Sequence, residues 1–288
     1  MCRSSKSIVS ERRNEVKVSV IIPTYKDIQA LELIFESLKK QTYKDFEVVI
    51  AEDDNSDEVV RFLKQAQTFF PIKHVSQEDI GWRKTRAMNQ AIKKAEGEYL
   101  IFFDGDCLPY QTFIENHVSL SDPMSVLCGR RVNLGDGITV ALRQKKISVI
   151  EIESSYLKWW KKLKRDGARH IEQGLDLLTI LPRVVFDAFN GKTRLVGCNF
   201  SLYKQKMIDI NGFDESYPSG DIADDVDIEW RLNAIGVNNK SCKFAANLLH
   251  LNHARKERKT QHDKNFALMM EKQKKNQIRC LNGIEKEG

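Results

Sequence analysis

Residues 16–106 alternate between apolar strand runs and amphipathic helices, and each long strand run stops at polar functional groups. Val16-Lys17-Val18-Ser19-Val20-Ile21-Ile22 is rich in β-branched residues and ends at Pro23-Thr24-Tyr25. Such a run reads as a buried strand. Residues 27–40 place Leu31, Ile34, Phe35 and Leu38 at helical spacing. Phe46-Glu47-Val48-Val49-Ile50-Ala51 is a second strand running into Glu52-Asp53-Asp54. Residues 57–69 predict another helix and His74-Val75 a short strand. Residues 83–95 put Ala87, Met88, Ala91 and Ile92 on one helical side, and Tyr99-Leu100-Ile101-Phe102-Phe103 stops at Asp104-Gly105-Asp106. This alternation predicts an α/β fold with a parallel, doubly wound sheet. Ligands of such sheets bind beyond the carboxyl ends of the strands. Three polar strand ends in one sheet therefore mark one candidate cleft.

The second half is less regular. Residues 143–165 predict one or two amphipathic helices with Trp159-Trp160 among lysines, and residues 176–189 are apolar but broken by Pro182. Leu195–Leu202 reads as a strand. Asp225–Ile235 reads as a helix, acidic in its first turn and stopped by Gly236. Residues 255–282 read as a polar, peripheral helical segment. At about 150 residues per domain, 288 residues allow one or two domains.

Charge and apolar runs exclude several classes. No apolar stretch reaches the roughly 18–20 residues that span a bilayer, and the first 17 residues carry five basic side chains but no apolar core of a secretory signal. The expectation is a cytoplasmic protein. Six cysteines without a C-x-x-C pair argue against a zinc site or disulfide framework. The net charge of +6 divides unevenly: residues 143–169 carry +6, residues 252–288 carry +5, residues 1–17 carry +3, and the remainder −8. An acidic body with basic appendages is not the pattern of a nucleic-acid binder, so no nucleic acid is expected as a partner. The appendages suit either solvent or an anionic membrane surface. Lys158-Trp159-Trp160-Lys161-Lys162-Leu163-Lys164-Arg165 interleaves aromatic and basic residues as interfacial helices do; the alternative is a Trp pair packed on the core. Peripheral association with the inner face of the plasma membrane extends the cytoplasmic expectation.

Four clusters carry chemistry. Asp104 and Asp106 flank a glycine directly after a strand, where two carboxylates can share magnesium or manganese and leave positions open for phosphate oxygens; Asp-Gly is also a turn signal. Asp53-Asp54-Asn55-Ser56 suits a helix cap, or acceptors for a base and ribose. Asp224, Asp225 and Asp227 crowd three carboxylates into four residues, which suits either a helix N-terminus or a functional site. His250-Leu251-Asn252-His253 offers two imidazoles, each a ligand for a transition metal or a structural histidine.

Taken in order, these segments resemble the family 2 glycosyltransferases of the GT-A fold. The likeness runs through most of residues 16–253. It rests on Val18–Tyr25, Ser37-Leu38-Lys39-Lys40-Gln41-Thr42-Tyr43, Phe46–Ile50 with Asp53–Ser56, and Asn89–Ile92 leading through Ala95–Leu100 into Asp104-Gly105-Asp106. The second half is similar to the galactosyltransferase-type segment of bacterial polysaccharide and chondroitin-polymerase-like enzymes. There the match is Val196–Ser201, Asn211-Gly212-Phe213-Asp214-Glu215 and Asp224–Leu232.

The resemblance implies a Rossmann-like, mostly parallel sheet flanked by helices in a single catalytic domain. That domain covers 16–253, with a nucleotide-sugar half (16–130) and an acceptor half (131–253), between a basic N-terminal tail (1–15) and a basic helical C-terminal tail (254–288). It implies an inverting, metal-dependent enzyme moving a sugar from UDP-galactose, -GalNAc, -GlcNAc or -glucose to a glycan or lipid-linked acceptor in surface polysaccharide synthesis. Pro23, Tyr25, Asp53, Asp54, Arg83, Lys84 and Asp104 would bind the nucleotide. Asp104, Asp106 and His250 would hold manganese or magnesium, with His253 the alternative histidine. Asp225 matches the catalytic base, and Asp224 and Trp230 the acceptor-binding positions. Where related transferases carry Trp-Gly before the acidic pair, this chain has Tyr217–Ala223. The rival expectations are a nucleotidyltransferase, which usually shows a Gly-rich basic loop after the first strand, and a non-catalytic nucleotide-binding scaffold.

Overall fold

A seven-stranded sheet organises the chain. The computed structural model describes residues 16–66, 69–189, 191–217, 220–223, 225–254 and 259–286. The strands are β1 (Val18–Thr24), β2 (Phe46–Glu52), β3 (Ile72–Ser76), β4 (Tyr99–Phe103), β5 (Cys107–Pro109), β6 (Ser125–Cys128), β7 (Val132–Asn133), β8 (Asn199–Tyr203), β9 (Asn238–Ser241) and β10 (Leu248–His250). The main sheet has the order β3-β2-β1-β4-β8-β6-β9, and a small second sheet has the order β5-β10-β7. β1, β2, β3 and β4 run parallel, as the sequence predicts. β8, expected as a strand over 195–202, begins at Asn199 and pairs antiparallel with β4, so the sheet is mixed rather than wholly parallel.

Side-chain alternation along β1 builds two cores. Val18, Val20 and Ile22 pack on one face and Ile21 on the other. The helix Ile28–Leu38 closes the first face with Leu31, Ile34, Phe35 and Leu38 buried, and Asp27 caps it by accepting from the Ala30 N–H at 3.0 Å. The helix Lys84–Lys94 closes the second face with Ala87, Met88, Ala91 and Ile92 buried. The chain crosses from β3 back past β1 to β4, so the sheet reverses its winding between β1 and β4. Ligands of open α/β sheets bind at such a point.

Asn89 ties the helix Lys84–Lys94 to the segment at Phe213, and Asp227 anchors the helix Val226–Ala234 from within. Asn89 donates to the Phe213 carbonyl at 2.8 Å and accepts from the Phe213 N–H at 2.9 Å. Asp227 and Arg231, both fully buried, form an ion pair, with Arg231 Nε donating to Asp227 Oδ2 at 2.8 Å. Asp227 also accepts from Tyr217 at 2.8 Å and from Trp230 Nε1 at 3.0 Å. Asp227→Ala leaves Arg231 charged and unpaired in the core. Unfolding by denaturant is expected to show a loss of about 3–5 kcal/mol; a loss below about 1 kcal/mol means the guanidinium's bonds to backbone carbonyls suffice.

Described parts of two basic segments pack on the body. Trp159 and Trp160 lie half-buried against the first core, and Trp159 Nε1 donates to the Glu151 carbonyl at 3.0 Å. The helix Lys259–Lys274 buries Met269 beside Tyr217, Ile222 and Ala223, and Lys272 pairs with Asp214. No helix among the described residues is long and apolar enough to cross a membrane.

Candidate active site

A cleft of about 720 Å³ opens at the carboxyl ends of β1, β2 and β4. Among the residues expected to bind nucleotide or metal, Pro23, Tyr25, Asp53, Lys84, Asp104, Asp106 and His250 line it, together with His253. Its floor depends on one glycine. A Cβ on Gly105 would sit 2.1 Å from the Pro23 carbonyl oxygen, so only glycine lets the Asp104–Asp106 loop lie against the end of β1. Gly105→Ala is expected to displace both carboxylates and to weaken Mn²⁺ binding by about 10-fold or more. Titration of the ion would check this, and unchanged affinity would show that the loop tolerates the shift.

Asp53 is held by its neighbours. Its Oδ2 accepts from the Arg83 backbone N–H at 2.7 Å and its Oδ1 from Gln77 Nε2 at 2.6 Å. Tyr25, 52% exposed, stands at the mouth with its hydroxyl 3.4 Å from the Asp79 carboxylate. An exposed ring beside a buried carboxylate offers a stacking face and an acceptor, which is what a nucleobase with polar edges requires. Asp54 and Arg83, by contrast, are not among the lining residues. Asp54 accepts from the Asn55 N–H at 2.7 Å, and the Arg83 guanidinium donates to the Glu78 carbonyl.

The metal candidates gather around Asp106. β10 pairs with β5 so that His250 lies opposite Cys107, and the Leu251 N–H donates to the Asp106 carbonyl at 2.9 Å. This brings His250 Nε2 to 3.3 Å and His253 Nε2 to 3.1 Å from Asp106 Oδ2. His250 is 6% exposed, and neither of its ring nitrogens has an aligned hydrogen-bond partner among the described residues. Buried polar atoms left this way call for an explanation, and a divalent cation shared by Asp106, His250 and His253 supplies one for His250 Nε2. The ligand atoms of these three residues lie within 4.8 Å of one another. One carboxylate and two imidazoles suit manganese better than magnesium, which prefers oxygen. Burial opposes ionisation of Asp106, but the two imidazoles outweigh it and its pKa lies below the carboxylate range. The contact with Asp106 raises the pKa of His253.

Asp104 has different neighbours. Lys84 Nζ lies 2.8 Å from its Oδ1 and Arg131 Nη1 2.8 Å from its Oδ2. Burial again opposes ionisation, and these cations hold the pKa low. Arg131 was not singled out in the sequence, although it follows a strand, β6, as the other site residues follow theirs. Arg143 and Asp27, joined by two bonds of 2.8 and 2.6 Å, also line the cleft with Trp82. Arg143 begins the basic stretch that charge alone assigned to solvent or membrane.

The described residues expected to act on the acceptor stand apart from this cleft. Asp225 caps the helix Val226–Ala234, accepting from the Val226 N–H at 2.6 Å, and is not among the residues lining the cleft. Trp230 lies outside it too, bonded to Asp227. Asp224 falls outside the described residues. The helix Gly220–Ala223, just before this pair, packs on the helix that Lys84 opens.

A sequence model of glycosyl transferase family 2 matches residues 19–178. The chain belongs to that family. Among curated relatives, Glycosyltransferase AglE of Haloferax volcanii is 29% identical over 146 residues, which is 49% of this chain and 48% of that protein. A chondroitin synthase of Escherichia coli is 26% identical over 104 residues, 36% of this chain and 15% of that one. The family 2 chain thus matches about half or less of these relatives' length. Among solved structures, the mannosyltransferase PcManGT of Pyrobaculum calidifontis, in complex with GDP-Man and Mn²⁺, superposes with a TM-score of 0.59 at 15% identity, covering 94% of this chain and 71% of that one. TarS 1–349 of S. aureus with UDP-GlcNAc gives 0.54 at 17%, covering 83% and 60%. These likenesses establish the GT-A fold.

Proposed function

We propose that this family 2 chain transfers a sugar from a UDP-sugar (galactose, GalNAc, GlcNAc or glucose) to a hydroxyl of a glycan or lipid-linked saccharide, with inversion and with manganese. The observation that carries the reading is one cleft holding both the Asp53–Tyr25 nucleotide wall and the Asp106–His250–His253 group. The UDP-GlcNAc complex of TarS and the Mn²⁺ complex of PcManGT, on the same fold, support it.

The division of labour follows from charge. A bound divalent cation supplies Lewis-acid stabilisation of the departing diphosphate. Tyr25 and Asp53 orient the nucleoside. Asp225 takes the proton from the acceptor hydroxyl as that oxygen attacks the anomeric carbon and the bond to the diphosphate breaks. A single displacement of this kind inverts the configuration. Because Asp225 lies outside the cleft wall, the acceptor approaches from the side of the helix Val226–Ala234. UDP release from a panel of UDP-sugars, with and without Mn²⁺ and with a lipid-linked oligosaccharide acceptor, tests the proposal. Release that needs both Mn²⁺ and acceptor supports it. Pyrophosphate release from UTP and a sugar phosphate would instead make the chain a nucleotidyltransferase.

A further inference from the structure

We infer that Asp104 is a positioning residue rather than a metal ligand, and that it holds Lys84 and Arg131 as a two-cation clamp for the donor's diphosphate. The inference rests on the nucleotide-sugar reading above; it narrows the nucleotide-binding expectation for Lys84 and Asp104 to the diphosphate and adds Arg131, to which that reading gives no task.

Each oxygen of Asp104 already has its own cation at 2.8 Å. Those cations come from separate parts of the fold. Lys84 opens the helix that closes the second core, and Arg131 follows β6. All three side chains line the cleft. A metal ion bound to Asp104 would meet an ammonium and a guanidinium at close range, an arrangement that Coulomb repulsion disfavours.

The ligand set that Asp104 could join is also the poorer one. It consists of Asp104, Asp106 and Cys107. Cys107 is fully buried, and its Sγ already lies 3.7 Å from the Arg131 guanidinium. The set around His250 and His253 needs no such group. Asp106 therefore belongs to the metal and Asp104 to the cations, although only Gly105 separates them.

The geometry of Arg131 points to an anion. Its Nη1 is engaged by Asp104, with Cys107 Sγ at 3.7 Å. Its Nε and Nη2 have no acceptor among the described residues, and the side chain is 23% exposed at the cleft. A guanidinium held on one edge and open on the other is preorganised for two phosphate oxygens. Lys84 adds a compact charge beside it. A diphosphate between this pair and a cation at Asp106 would be neutralised from both ends.

Two measurements test the clamp. In the first, Mn²⁺ binding is followed by electron paramagnetic resonance for the parent protein, Asp104→Asn and Asp106→Asn, without nucleotide. Asp104→Asn is expected to stay within about 2-fold of the parent, and Asp106→Asn to lose about 10-fold or more. Equal losses in both variants would make Asp104 a ligand and overturn the assignment. In the second, uridine and UDP are titrated by NMR and calorimetry at saturating Mn²⁺. Arg131→Ala is expected to weaken UDP by about 10- to 100-fold, the range for a charge-assisted bond, while uridine stays within about 2-fold. Arg131→Lys should recover part of the loss. Uridine and UDP weakened together would show a structural role and refute the clamp. A parent protein that binds Mn²⁺ but not UDP refutes the clamp and the nucleotide-sugar reading together, while the first measurement still decides Asp104.

Discussion

Asp106→Ala is expected to reduce sugar transfer by about 10³-fold and to remove its dependence on added Mn²⁺. The carboxylate is the one member of the candidate metal group that faces both imidazoles, with His250 at 3.3 Å and His253 at 3.1 Å. Without it, two imidazoles and no carboxylate remain, and these do not hold a divalent ion against water. A metal acting on a departing phosphate is worth several kcal/mol, and about 4 kcal/mol corresponds to 10³ in rate. Stability should change little, because Asp106 sits in a loop on an open cleft. Rates measured over a Mn²⁺ series check the expectation. A variant that still responds to Mn²⁺ with an unshifted midpoint would place the ion elsewhere.

The second large effect is expected at Asp225→Asn: a fall in kcat of about 10²–10⁴-fold with UDP affinity unchanged. Asparagine caps helices as well as aspartate does, so the bond to the Val226 N–H and the helix behind it should survive. What is lost is the basic oxygen. This separates a catalytic role from a capping role, since both assign the same side chain and only one needs its charge. Single-turnover rates beside UDP titration make the distinction, and transfer at the parent rate would remove Asp225 from the mechanism.

Much of the cleft was legible in the sequence because it is built at strand ends. Tyr25, Asp53, Asp104 and Asp106 each follow an apolar run whose pattern is local, and a parallel sheet puts such ends on one edge. Ala87, Met88, Ala91 and Ile92 were equally legible, because helical spacing alone selects a buried face. Other parts had no local signature. β7 spans two residues and β10 three, too short for a period to show. Arg143 read as part of a basic stretch facing solvent or membrane and Arg131 carried no signal of its own, yet the fold turns both into the cleft. Asn89 and Asp227 belong to the motifs that carry the family resemblance, yet their bonds are structural, to Phe213 and to Arg231.

The layered α/β architecture, the family and the cleft's acidic inventory follow from periodicity and from the order of strand ends along the chain, and so they are written in the residues alone. How that inventory divides depends on the fold. The pairing of β10 with β5 sets His250 and His253 against Asp106, and the meeting of the helix at Lys84 with the end of β6 gives Asp104 two cations. Both are contacts between segments remote in the chain, settled by which strands share hydrogen bonds. Two carboxylates separated by one glycine thus enter different electrostatic surroundings.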